Sequence, residues 1–143
     1  MGELISKSVY LRMKRFVEIA RALKPNNQTG QFFHVTFICK KRKTLAIGIN
    51  NYHKLNIASR WGEYLPGKGA RPEHYIAGLH SEISALIKNG NEDCSDLDFF
   101  NIRIGNNNQI GVSKPCKNCQ RVLQQVGFKN LYYFNEQGKI CVL

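Results

Sequence analysis

The sequence predicts an α/β protein: a three-layer α/β/α sandwich around a mixed five-stranded sheet. Three observations carry this. Five short runs are rich in β-branched and aromatic residues, at 32–39, 44–50, 97–105, 131–135 and 140–143. Three stretches have helical apolar periodicity, and they alternate with those runs in the α/β manner. Two pairs of strands are joined by connections short enough to be hairpins.

Residues 4–23 open the chain as an amphipathic helix. Ile5, Val9, Met13, Phe16, Ala20 and Leu23 recur at steps of three and four, with Lys7, Lys14 and Arg21 a heptad apart on another side. "PNNQTG" stops that helix. Strands follow at 32–39 and 44–50, joined by "KKRK". This tip reads either as a solvated turn or as a phosphate contact. His34 sits within the first strand as a packing or surface residue.

Residues 51–79 hold Pro66, Gly67, Gly69 and Pro72, with Trp61, Tyr64 and Tyr75 interleaved with Arg60, Lys68 and Arg71. A connection this long is expected to be a functional loop or flap. Trp61 either stacks on a base or pins the loop to the body; His53 and His74 lie in the same stretch. "HSEISALIKNG" reads as a helix ending at Gly90, with Ile83, Leu86 and Ile87 inward. "LDFFNIRIG" is a strand, with Phe99 and Phe100 in the core. "CKNCQRVLQQVGF" is a helix with Cys119, Val122, Leu123 and Val126 on one side. "LYYFN" and "ICVL" flank "EQGK" as a final antiparallel hairpin, with Tyr132 and Phe134 as core residues.

The 143 residues are expected to form a single domain, without repeats or linkers. No run of eighteen apolar residues exists, so no membrane partner is expected. "MGELISKSVY" lacks the order of a signal peptide, which makes the cytoplasm the expected location. Five cysteines, an odd count, argue against a disulfide framework. Lys and Arg number 21 against 10 acids, for a net charge of +11, and residues 1–50 alone carry ten basic and two acidic groups. Such an excess favours polyanions, from nucleotides to nucleic acid.

Cys116 and Cys119, one helical step apart after Pro115, pose the chemical question. Spacing alone leaves a redox pair, a structural clip or half of a metal site open. Both thiols can face one side of a helix's first turn, where the dipole favours thiolates. Two thiolates leave tetrahedral zinc incomplete. His80, opening another helix, is the best third ligand, with Glu82 two residues on. In a sandwich both helix N-termini can face each other. Three ligands and one open position mark catalytic zinc, whose bound water has a pKa near 7. Glu82 would then serve as general acid and base.

His80-Ser81-Glu82 with Pro115-Cys116-Lys117-Asn118-Cys119 resembles the H-x-E…P-C-x-x-C signature of the zinc-dependent cytidine/deoxycytidylate deaminase superfamily. The stretch from residue 78 to residue 140 is similar to small phage deaminase-like proteins, and the likeness in element order spans about residues 32–134. The resemblance implies the cytidine deaminase-like fold and the cofactor Zn2+ held by His80, Cys116 and Cys119. It further implies Glu82 as the proton carrier and attack of water on C4 of cytosine, giving uracil and ammonia. By the same analogy Asn50 contacts the sugar or phosphate, and groups near Ser81 and Ser113 border the base. Ser81 stands where the superfamily commonly has Ala, a change expected to be tolerated. An antiparallel final hairpin matches the free-nucleoside branch. Three readings follow: a nucleoside or nucleotide deaminase, an editor of single-stranded DNA or RNA, and a non-catalytic binding module of the same fold. Homo-oligomeric assembly is consistent with the resemblance.

Overall fold

A computed structural model describes residues 5–24, 33–50, 80–90 and 93–143. Their order is α1 (Lys7–Leu23), β1 (Phe33–Lys40), β2 (Lys43–Ile49), α2 (Ser81–Asn89), β3 (Asp98–Ile104), α3 (Lys117–Val126), β4 (Asn130–Phe134) and β5 (Ile140–Val142). The five strands form one mixed sheet in the order β2-β1-β3-β4-β5. β3 and β4 run parallel; the other neighbours are antiparallel, including the final β4–β5 hairpin. This is the predicted sandwich. No described helix is long and apolar enough to cross a membrane.

Each face of the sheet buries its own core because side chains alternate along a strand. Val35, Phe37, Phe100, Ile102 and Phe134 meet Met13, Phe16, Val17 and Ala20 of α1 on one face. Phe16 stacks on Phe37 with ring centroids 4.2 Å apart. Ile38, Phe99 and Leu131 meet α2 and α3 on the other. The α3 stripe Cys119, Val122, Leu123 and Val126 is buried throughout, as its spacing predicts. In α2, Ile83 and Leu86 are buried but Ile87 is 44% exposed, contrary to the inward position expected of it. Ala85 is buried instead, and its backbone lies close against β2.

The cause of that closeness is Gly48. It pairs with Thr36 on β1, and Thr36 pairs with Asn101 on β3. These three residues form a row across the sheet beneath the first turn of α2. Gly48 presents no side chain, so the helix backbone at Ser81 and Ala85 settles directly onto the strand.

The "KKRK" tip turns at Lys41, which has φ 54. It lies at the Lys40 end of β1, whereas the N-termini of α2 and α3 gather at the Phe33 end, about 20 Å away along an eight-residue strand. The tip therefore does not reach the site described next.

Candidate metal centre and its buried support

His80 is the N-cap residue of α2 and Cys116 the N-cap residue of α3. The β2–α2, β3 and α3 segments all deliver the same end of the sheet, where α/β proteins place their ligands. His80 Nδ1 lies 3.4 Å from Cys119 Sγ and 3.8 Å from Cys116 Sγ. These three ligand atoms are the one His/Cys/Asp/Glu group among the described residues close enough to share a metal ion. Zinc bonds of about 2.1 Å to nitrogen and 2.3 Å to sulfur, at a tetrahedral angle, put N and S about 3.6 Å apart. The two observed separations bracket that edge. The residues present therefore fit zinc in both chemistry and spacing.

Electrostatics favour a cation there. Cys116 Sγ accepts hydrogen bonds from the Cys119 thiol, from His80 and from the Cys119 backbone N–H, and these hold its pKa down at about 4. Cys119 is pushed the opposite way by the thiolate it serves and by burial. Burial opposes a charge on His80, but the neighbouring sulfur and the Glu82 charge outweigh it and raise the pKa. Cys39, Cys94 and Cys141 form no disulfide and are not part of this group.

A cavity of about 120 Å³ opens beside the three ligands, lined by His34, Asn50, His80, Ser81, Glu82, Lys114 and Cys116. Asn50 follows β2 and accepts a hydrogen bond at Oδ1 from the His34 backbone N–H, at 2.8 Å. Trp61, His53, His74 and the 51–79 loop lie outside the described residues. His34, read from sequence as packing or surface, forms part of the cavity wall. Burial first, then the charges of Arg103 and His80, lower its pKa to about 4.

Glu82 is 6% exposed, and burial raises its pKa. Both of its carboxyl oxygens have protein donors. Ser81 Oγ donates to Oε1 at 3.1 Å, and Asn101 Nδ2 donates to Oε2 at 3.0 Å. The Asn101 amide can face only one way, because its Nδ2 also serves the Ser113 carbonyl at 3.3 Å. Its Oδ1 is left to accept from Thr36 Oγ1 at 2.7 Å, and Thr36 Oγ1 lies 2.8 Å from Ser81 Oγ. With the Thr36 proton committed, the Ser81 proton has two acceptors, Glu82 and Thr36. If Oε1 gains a proton, Ser81 can turn to Thr36; if Oε1 loses it, Ser81 can turn back. The support accommodates either state of the carboxyl, as proton transfer requires.

Ser113 is committed elsewhere. Its hydroxyl donates to Asn101 O and accepts from the Phe134 N–H, both at 2.8 Å, and its own N–H bonds Phe134 O. It ties β3 to β4 and does not line the cavity. Thr36, Asn101 and Lys114 were not singled out by sequence reasoning. The first two carried a signal: polar residues within apolar strands, on opposed positions, need each other or a third partner when buried. Lys114 carried none beyond its place beside Pro115.

The fold has known counterparts. A crystal structure of cytidine deaminase from Burkholderia pseudomallei superposes with a TM-score of 0.54 and 15% sequence identity, covering 97% of this chain and 92% of that one. The chain has the cytidine deaminase fold. A dCMP deaminase from the cyanophage S-TIM5, in complex with dCMP and dUMP, gives a TM-score of 0.49 at 18% identity, covering 94% of this chain and 85% of that one. No protein-family model and no curated protein sequence matches the chain.

Proposed function

We propose that this protein is a zinc-dependent hydrolytic deaminase of the cytidine/deoxycytidylate type, converting cytosine to uracil in a nucleoside or nucleotide. The observation that carries this is the meeting of one imidazole nitrogen and two sulfurs beside a cavity that also contains a buried carboxyl, Glu82. A redox pair needs no third ligand, and a structural clip needs no cavity with a carboxyl in it.

His80, Cys116 and Cys119 would hold the zinc, which supplies Lewis acidity that brings the pKa of a water toward neutrality. Glu82 takes a proton from the attacking water and gives it to the ring nitrogen beside C4. It then carries the second proton to the departing amino group, so water and cytosine become uracil and ammonia. Burial raises its pKa above the ordinary carboxyl value, which makes it a better proton acceptor than an exposed carboxylate. Asn50, at the end of β2, lines the cavity, which supports reading it as the residue that would meet the sugar. Lys114 brings a cation to the same wall, which favours a substrate bearing phosphate.

The antiparallel β4–β5 hairpin is like that of the superfamily's free-nucleoside branch, which favours a small substrate over a polynucleotide. The test is direct. Purified zinc-loaded protein is incubated with cytidine, deoxycytidine, their mono- and triphosphates, the adenosine counterparts and single-stranded oligonucleotides, and ammonia release is followed. The reading expects a cytosine nucleoside or nucleotide to be turned over, with Glu82→Gln losing about 10²- to 10⁴-fold while keeping its zinc. Turnover of none of these substrates would remove the proposal, and turnover of oligonucleotides alone would replace it with an editing role.

A further inference from the structure

We propose that Asn101, with Thr36 and Ser81 behind it, positions Glu82 and locks the two halves of the metal centre in register. This rests on Glu82 being the proton carrier.

The two halves come from distant parts of the chain. His80 and Glu82 belong to the start of α2, Cys116 and Cys119 to the start of α3, and 35 residues lie between His80 and Cys116. A side chain of the sheet bridges the two halves. The Asn101 amide sends one N–H to Glu82 Oε2 on α2 and the other to the carbonyl of Ser113, three residues before Cys116. Asn101 lies on β3, between the two helices, and is 3% exposed. It has no freedom to swing, because its carbonyl accepts from Thr36 on β1. Thr36 in turn lies against Ser81 Oγ on α2, and Ser81 donates to the other carboxyl oxygen. The four side chains close a ring: Glu82, Ser81, Thr36, Asn101 and back to Glu82. All four are buried, and removal of a member takes a hydrogen-bond partner from a buried polar atom.

This gives Ser81 a role beyond the tolerated replacement for Ala expected from sequence. Its hydroxyl is the link between the carboxyl and the sheet, and it has a place only because Thr36 and Asn101 supply polar groups on the two central strands. Thr36 and Asn101 do not line the cavity and act through Glu82; Ser81 lines it, and its hydroxyl is likewise spent on Glu82 and Thr36, so the three are positioning residues.

Four variants of the zinc-loaded protein test the proposal: Asn101→Leu, Thr36→Val, Thr36→Ser and Ser81→Ala. Zinc is expected to bind more weakly to Asn101→Leu, which removes the bridge between the halves, and as in the parent to Thr36→Val, Thr36→Ser and Ser81→Ala, which keep the Asn101 bond to Ser113 O. Turnover of the substrate found for the parent is expected to fall in kcat, by about 10²-fold for Asn101→Leu and about tenfold for Thr36→Val and Ser81→Ala, with KM nearly unchanged. Thr36→Ser restores the hydroxyl and is expected to restore kcat. In a Glu82→Gln background the same changes should cost almost nothing more, since residues acting as a unit are not additive. Parent-level kcat in Ser81→Ala and Thr36→Val, or losses that multiply with Glu82→Gln, would overturn the proposal. Ser81→Ala is a small change that keeps the test decisive if Asn101→Leu fails to fold. Crystal structures of the variants provide a readout without turnover: the Glu82 carboxyl should leave its present place in Asn101→Leu or Ser81→Ala. A carboxyl that stays put overturns the positioning role even if the parent is active. A carboxyl that moves supports it even if no substrate is found and the deaminase reading itself falls.

Discussion

Gly48→Ala tests how the sheet holds the metal centre. A Cβ at this position would lie 2.7 Å from Ala85 Cα, and nearer still to Ala85 N and Ser81 O. Carbon atoms rest comfortably at about 3.5–4.0 Å, so α2 would have to retreat by about 1 Å. The contacts are backbone, which no rotamer change can relieve. Overpacking of this kind costs about 1–3 kcal/mol, or a fall in Tm of several degrees for a domain of this size. The chemical cost is larger. The retreat carries His80 and Glu82 with it, and the N···S separations of 3.4 and 3.8 Å have no such slack. A displacement of about 1 Å at a reacting group can cost 10²-fold in rate. We expect Gly48→Ala to bind zinc more weakly in competition with a chromophoric chelator and to lose about two orders of magnitude in turnover. Gly105→Ala is the control: its added Cβ would meet only Gln109 O, at 3.7 Å, and it should behave like the parent. Parent-level zinc affinity and Tm in Gly48→Ala would refute the claim that this glycine sets the height of α2.

Acid should expose the state of His34. Its pKa falls from 6.5 to about 4 on folding, so the unfolded chain binds the extra proton between those values. Stability is fully present above pH 6.5 and is lost as pH falls toward 4, by up to about 3 kcal/mol. His34→Gln should lose that part of the acid sensitivity, read from denaturant unfolding at pH 7 and pH 4.5; equal pH dependence in both proteins would contradict it. Lys114→Ala should raise KM for a nucleotide about tenfold and leave KM for the matching nucleoside unchanged, and an equal effect on both would exclude a phosphate contact. Zinc present at about 1,000 times its Kd should stabilise the fold by about 4 kcal/mol, seen as a rise in Tm that chelator reverses and that Cys119→Ser abolishes. A Tm indifferent to zinc would count against the site.

The sequence by itself determined the elements and the chemistry of their ends. Alternating apolar runs gave the strands, the 119-122-123-126 stripe gave the inward face of α3, and Cys116 with Cys119 marked a helix start able to hold thiolates. These are local properties, set by periodicity and by neighbours within one turn. Ile87 was misjudged because a helix's own periodicity says nothing of how near it lies to a sheet; Gly48, on another element, decides that. His34 was read as ordinary because its cavity is shared with residues 16 to 82 positions away. Only the tertiary structure brought His80 to the two sulfurs and lined up Gly48, Thr36 and Asn101 across three strands. Strand register is a long-range choice: it depends on which pairing buries both faces of the sheet and satisfies every buried polar atom at once, and no single segment contains that information.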